Sequence, residues 1–154
     1  MVGVSNWTRV ARAFDAILGS IRWRKYKVDA FASSVVVVRD GVLDHHNQGT
    51  NLHGLYGSLQ DVIPNSTVEP YTLWRLQRGV PTEEGTPGHL NQRTHGFRLA
   101  GKLPAHFDYR SEMAVQRGRL GVERIRSWTG NWVAGRTFPG TPTQPRPFLE
   151  YTYA

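Results

Sequence analysis

Cysteine is absent from the 154 residues. Its absence excludes a disulfide framework, a thiol nucleophile and any cysteine-based zinc site. Long apolar runs are missing as well. Nothing approaches the roughly 18 consecutive apolar residues of a membrane helix, and mean hydropathy is -0.45. That deficit excludes helical spans but not membrane strands, which alternate lipid-facing and lumen-facing residues and so average to a low hydropathy. Acidic residues are in the minority, 12 against 19 Lys and Arg, leaving a formal net charge of +7. Such an excess favours an anionic partner: nucleic acid, acidic lipid or acidic polysaccharide. The start, Met1-Val2-Gly3-Val4-Ser5-Asn6, has neither the basic n-region nor the apolar h-region of a secretory signal. It is therefore expected to be a break inside a longer, exported protein. Repeats and low-complexity tracts are absent, and helical periodicity is confined to Trp7–Leu18, with Ser5 or Asn6 as N-cap.

What the chain does have is period-2 alternation. Phe107, Tyr109, Ser111, Met113 and Val115 lie on one face of a strand, and Asp108, Arg110, Glu112, Ala114 and Gln116 on the other. Phe97, Leu99, Gly101 and Leu103 oppose Arg98, Ala100 and Lys102. Val68, Pro70, Thr72, Trp74 and Leu76 oppose Glu69, Tyr71, Leu73, Arg75 and Gln77. Similar patterns predict about eight strands, at 14–24, 26–38, 51–61, 67–78, 93–103, 107–118, 122–138 and 146–154. Arg24-Lys25, Ile63-Pro64-Asn65 and Pro104-Ala105-His106 read as tight turns, while Asp40–Thr50 and Gly79–Asn91 read as long loops. Short turns at one end and long loops at the other are the habit of outer-membrane barrels. Gly118–Gly121 is too short, and Pro139–Pro145 too long, for that rule.

A soluble β-sandwich would also alternate. Three features favour a membrane barrel instead. The strands are longer than the usual five or six residues. Charges recur in mid-strand on one face, which suits a wet lumen. Aromatics such as Trp23, Tyr26, Trp74, Phe107, Tyr151 and Tyr153 fall near strand ends, where aromatic girdles sit. Nucleic acid is not an expected partner, because Arg and Lys are spread over every strand with acids interleaved and form no clustered stripe or known motif. No catalytic residue, metal ligand or cofactor site is assigned. His45-His46 lacks a third ligand at a telling spacing, and Glu83-Glu84 reads as solvation of a loop. Asp108 and Glu112 could form a polysaccharide-cleaving pair, but the nearby Arg98, Lys102 and Arg110 point to ion pairing.

The segments GFRLAGKLPAHFDYRSEMAVQRG, ERIRSWTGNWVAGRTF and PRPFLEYTYA follow one another from Gly96 to Ala154. The series resembles the alginate-export family: a strand, an L-P turn, an F-D-Y strand, an I-R-x-W strand and a further strand that ends in a D-Y-A-type sequence. Upstream, SNWTRVARAFDAI and WRKYKVDAFA are similar to earlier segments of that family. The resemblance implies an all-β, antiparallel up-and-down transmembrane barrel, of which about eight strands are present. It implies residence in the outer membrane, contact with its lipid, and passage of an anionic polysaccharide such as alginate. Residues 1–13 are then a loop or short helix, and 14–154 the partial barrel domain. On this reading the pore is lined by Arg22, Lys27, Arg75, Arg98, Lys102 and Arg110, with Glu112 among the acids Asp29, Glu69, Asp108 and Glu150. The alternative is a soluble β-rich module that binds nucleic acid or acidic polysaccharide.

Overall fold

The computed structural model describes residues 14–37 and 45–154. Eight strands follow in chain order: β1 (Phe14–Trp23), β2 (Tyr26–Val37), β3 (His45–Gln60), β4 (Ser66–Pro81), β5 (Pro87–Leu103), β6 (Phe107–Leu120), β7 (Glu123–Arg136) and β8 (Phe148–Tyr153). Each pairs antiparallel with its sequence neighbours in one sheet of order β1 to β8, and the sheet does not close on itself. This up-and-down meander is the wall of a partial barrel.

Register follows from turn geometry and hydrophobic pattern. With Pro104-Ala105-His106 as the turn, residues whose numbers sum to 210 should face each other, and they do: Lys102 opposes Asp108, Arg98 opposes Glu112, and Leu99 opposes Ser111. The turn is a single 3-10 turn in which Ala105 and His106 adopt positive φ. At the other end of β6, Gly121 supplies the φ of +59° that reverses the chain into β7.

Several expectations need correction. Phe14–Leu18, where the possible helix at Trp7–Leu18 overlaps the strand expected at 14–24, belongs to β1, while the rest of the helical segment and the expected loop or helix at 1–13 lie outside the described residues. The long loop expected at Gly79–Asn91 is mostly strand. β4 continues to Pro81 and β5 starts at Pro87, leaving five residues between them. Likewise β3 starts at His45, not at Asn51. These extensions protrude past the alternating part of the sheet. A strand segment solvated on both faces needs no apolar face, which accounts for a backbone ladder that continues where period-2 alternation is lost.

The two faces can be followed across the whole sheet, since directly opposed residues share a face. One face is apolar through its middle. It carries Ile17 and Ile21 of β1, Val28 of β2, Leu55 of β3, Trp74 of β4, Phe97 of β5, Val115 of β6, Trp128 of β7 and Tyr151 of β8, all exposed. Aromatic pairs run along it, with Trp128 stacked on Tyr153 at 4.2 Å and Trp132 on Tyr151 at 5.7 Å. The other face is polar and is the more sheltered. Gln92, Thr94, Gly96 and Arg98 are half-buried, whereas Asn91, Arg93, His95 and Phe97 between them are exposed. That difference marks the polar face as the concave side. Among the described residues the only buried hydrophobics are Leu90, Ala114 and Val133, and no large side chain is fully buried. A soluble sheet would hide its apolar face. Here the apolar side is the convex, open one.

Candidate functional site

The polar face is built strand by strand from one parity of residue. Ser20 opposes Asp29, which opposes Tyr56, then Tyr71, Gly96, Ala114 and Thr129, forming one row across β1 to β7. The next row runs Glu69, Arg98, Glu112, Asn131, Thr152 across β4 to β8. All six cations expected on this face share it: Arg22, Lys27, Arg75, Arg98, Lys102 and Arg110. So do Asp29, Glu69, Asp108, Glu112 and Glu150.

Not every directly opposed pair of charges forms an ion pair. Arg98 opposes Glu112, but its guanidinium binds Glu69 on the other neighbouring strand at 2.7 Å. Glu112 instead accepts the Tyr71 hydroxyl at 2.9 Å. Lys102 opposes Asp108, but that carboxylate is taken by Arg146, whose Nε donates at 2.9 Å. The final strand, expected from residue 146, starts at Phe148, so Arg146 lies in the connection between β7 and β8; it was not among the residues expected to line this face. Lys27 pairs with Asp29 at 2.7 Å, and Ser20 donates to the same carboxylate. Asn131 donates to Glu150 and Thr152.

These pairings leave an imbalance. Among the described residues, Arg22, Arg75, Lys102 and Arg110 have no acid within ion-pair distance. Arg110 lies between Ala100 and Val133, neither of which carries charge. Arg75 donates to neutral Gln77. The acids, in contrast, are all engaged by a cation or a neutral donor. Lys102, Asp108, Arg110, Arg146 and Glu150 line one open recess of about 670 Å³ on this face. At the turn end, outside the strands, Lys25 binds Asp61 at 2.8 Å, and this bond holds its ammonium above the ordinary lysine pKa.

The face also depends on two residues without side chains. The ring of Tyr71 lies over Gly96, where a Cβ would come within 2.5 Å of Cζ and 2.8 Å of the Met113 carbonyl oxygen. Phe31 covers Gly54 in the same way. Glycine lets an aromatic ring lie flat across the neighbouring strand instead of projecting into the hollow.

One sequence expectation fails here. Arg and Lys do cluster, on the apolar face at the end of the strands opposite the Pro104–His106 turn. Arg93, Arg117 and Arg126 oppose one another in one row, and Arg119 opposes Arg124 in the next. Read strand by strand they look dispersed, and only the register brings them together. Among the described residues no group of three His, Cys, Asp or Glu is placed to hold a metal. His45 and His46 lie in β3.

A family model for alginate export matches residues 1–154. No curated protein and no solved structure matches the chain.

Proposed function

We propose that this chain, which belongs to the alginate-export family, forms part of the wall of an outer-membrane barrel whose polar face lines a path for an anionic polyuronate. The observation that carries the reading is the distribution of charge. The sheltered concave face holds cations that, among the described residues, have no acid within ion-pair distance, and the exposed convex face is apolar through its middle. Lipid is the solvent that suits the second face, and a polyanion in water suits the first.

A pore of this kind does no bond chemistry. It lowers the cost of carrying charge through a low-dielectric slab, and rings of Arg and Lys select anions. Arg98 and Lys27, tied to acids, act as fixed parts of the wall. Arg22, Arg75, Lys102 and Arg110 offer their charge to carboxylates in transit. Cations spaced along and across the strands give weak, repeated contacts, which suit passage because tight binding would block exit.

The test is conductance of the protein in planar bilayers. Wild type should prefer anions to cations, and an oligouronate should block the current transiently while a neutral oligosaccharide of equal length blocks less. Replacing Arg98, Lys102 and Arg110 together with Gln should reduce both effects. A cation-selective channel, or an unchanged triple variant, would remove these residues from the path. Absence of any channel would favour the soluble β-rich binding module.

A further inference from the structure

Five arginines sit where a lipid-facing surface should carry none. Arg93, Arg117, Arg119, Arg124 and Arg126 share the apolar face of β5, β6 and β7, and all are exposed. The Arg93–Arg117–Arg126 row is two residues along the strands from the row of Val115 and Trp128, a distance of about 7 Å. The patch therefore begins where the apolar band ends.

Directly opposed residues stand about 4.5–5.5 Å apart at Cα, and like charges at that spacing destabilise a sheet. No acid relieves them. Among the described residues none of the five has a carboxylate within ion-pair distance. Arg93 lies over the Trp74 ring, with its guanidinium carbon 5.1 Å from the centroid. The nearest acids in sequence belong to the strand tips: Glu123 is on the opposite face with Leu120, and its carboxylate accepts the Glu83 amide. The arrangement needs a polyanion to offset its own repulsion.

We propose that this patch binds the headgroup of a lipid carrying two or more phosphates, whose acyl chains lie along the apolar band below. The inference rests on the reading of the sheet as a membrane wall. It goes beyond that reading because the patch faces away from the transport path. Position selects the occupant. A soluble polyanion such as nucleic acid would need only the charge, whereas a lipid uses both the arginines and the adjoining band. Guanidinium forks suit phosphate oxygens bidentately, and opposed arginines on three adjacent strands can engage more than one phosphate group.

The experiment uses the full chain folded in zwitterionic micelles, with diphosphoryl lipid A as the probe and retention read by native mass spectrometry. Wild type should retain the diphosphoryl lipid, and its dephosphorylated form should be lost. R93Q/R117Q/R126Q should bind it on the order of a hundredfold more weakly, given the pull that each cation near a surface exerts on anionic lipid. The corresponding triple Lys variant should keep most of the binding, and Arg24→Gln at the opposite end should change nothing. Should the Gln variant not fold, wild-type retention must still fall steeply between 0.1 and 1 M salt, on the order of tenfold or more. Equal retention by a folded Gln variant, salt-independent retention, or displacement of the lipid by equimolar inorganic phosphate or single-stranded DNA would overturn the proposal. If the chain enters neutral micelles without preferring the phosphorylated lipid, the patch alone is refuted. If it does not enter them, the membrane-wall reading fails as well.

Discussion

At the scale of single residues, the polar face separates cations tied to acids from cations that, among the described residues, have no acid within ion-pair distance. Arg98 is bound to Glu69, whereas Arg110 has no acid directly opposed to it and, among the described residues, none within ion-pair distance. Arg110→Gln should therefore weaken oligouronate block more than Arg98→Gln does, as measured by block frequency at fixed oligomer concentration. Equal effects would mean that the ion pair opens freely in the pore. The glycines make an equally local demand. Gly96→Val places atoms against both the Tyr71 ring and the Met113 carbonyl. The ring can swing aside, but the backbone cannot, so the cost should be about 1–3 kcal/mol, the usual range for overpacking. Denaturant midpoints for wild type and variant in the same micelle would measure it. Such contacts were not legible beforehand. Alternation assigned Tyr71 and Arg98 to their face, but which neighbour each side chain leans towards depends on side-chain conformation that a binary pattern does not contain.

For the strands and hairpins, far more could be read in advance. The β5–β6 register was readable because an apolar set on one parity fixes which residues share a face, and a slip of one residue would invert it. Introduced cysteines can check it without background, since the chain has none of its own. Leu99→Cys with Ser111→Cys should cross-link on mild oxidation, because directly opposed residues have Cα separations within disulfide range. Leu99→Cys with Glu112→Cys places the thiols on opposite faces and should not. The reverse result would refute the sheet's face assignment. What the pattern could not supply was the length of β4 and β5. Residues 79–81 and 87–91 are rich in Gly, Pro, His and Asn and look like loop, yet they extend the ladder beyond the apolar band. The arginine cluster is absent from the sequence pattern for a related reason. Each arginine is ordinary within its own strand, and the cluster exists only once three strands are aligned.

Taken as a whole, the molecule is inverted relative to a soluble domain, and its tryptophans should report that directly. Trp23, Trp74, Trp128 and Trp132 all lie on the apolar face by register, on β1, β4 and β7. Trp7, the fifth, is outside the described residues. The nine residues from Phe107 to Val115 carry the apolar set of β6. They span about 27 Å along the strand, or about 20 Å across a membrane at the usual barrel tilt. Trp128 and Trp132 lie within that interval, since they oppose Val115 and Ser111. In bilayers whose acyl chains carry bromine, their fluorescence should be strongly quenched, and neutral acrylamide in the water should quench them weakly. Moving the bromine along the chain should separate them in depth, with Trp128 nearer the arginine-bearing end. Single-tryptophan variants, with the others replaced by Phe, would resolve each site. A soluble β-rich module would give the opposite pattern: no response to brominated lipid and ready quenching of the exposed Trp128 by acrylamide. The same inversion puts a demand on the edges of the sheet. Its outermost strands, β1 and β8, each have one unpaired edge, and hydrocarbon offers nothing to satisfy those amides and carbonyls. Tryptophan burial in lipid therefore requires the edges to be paired with further strands. Amide hydrogen exchange should show this as protection of β1 and β8 approaching that of β5 and β6. Fast exchange confined to β1 and β8, alongside full lipid quenching, would instead mean that an open wall is tolerated.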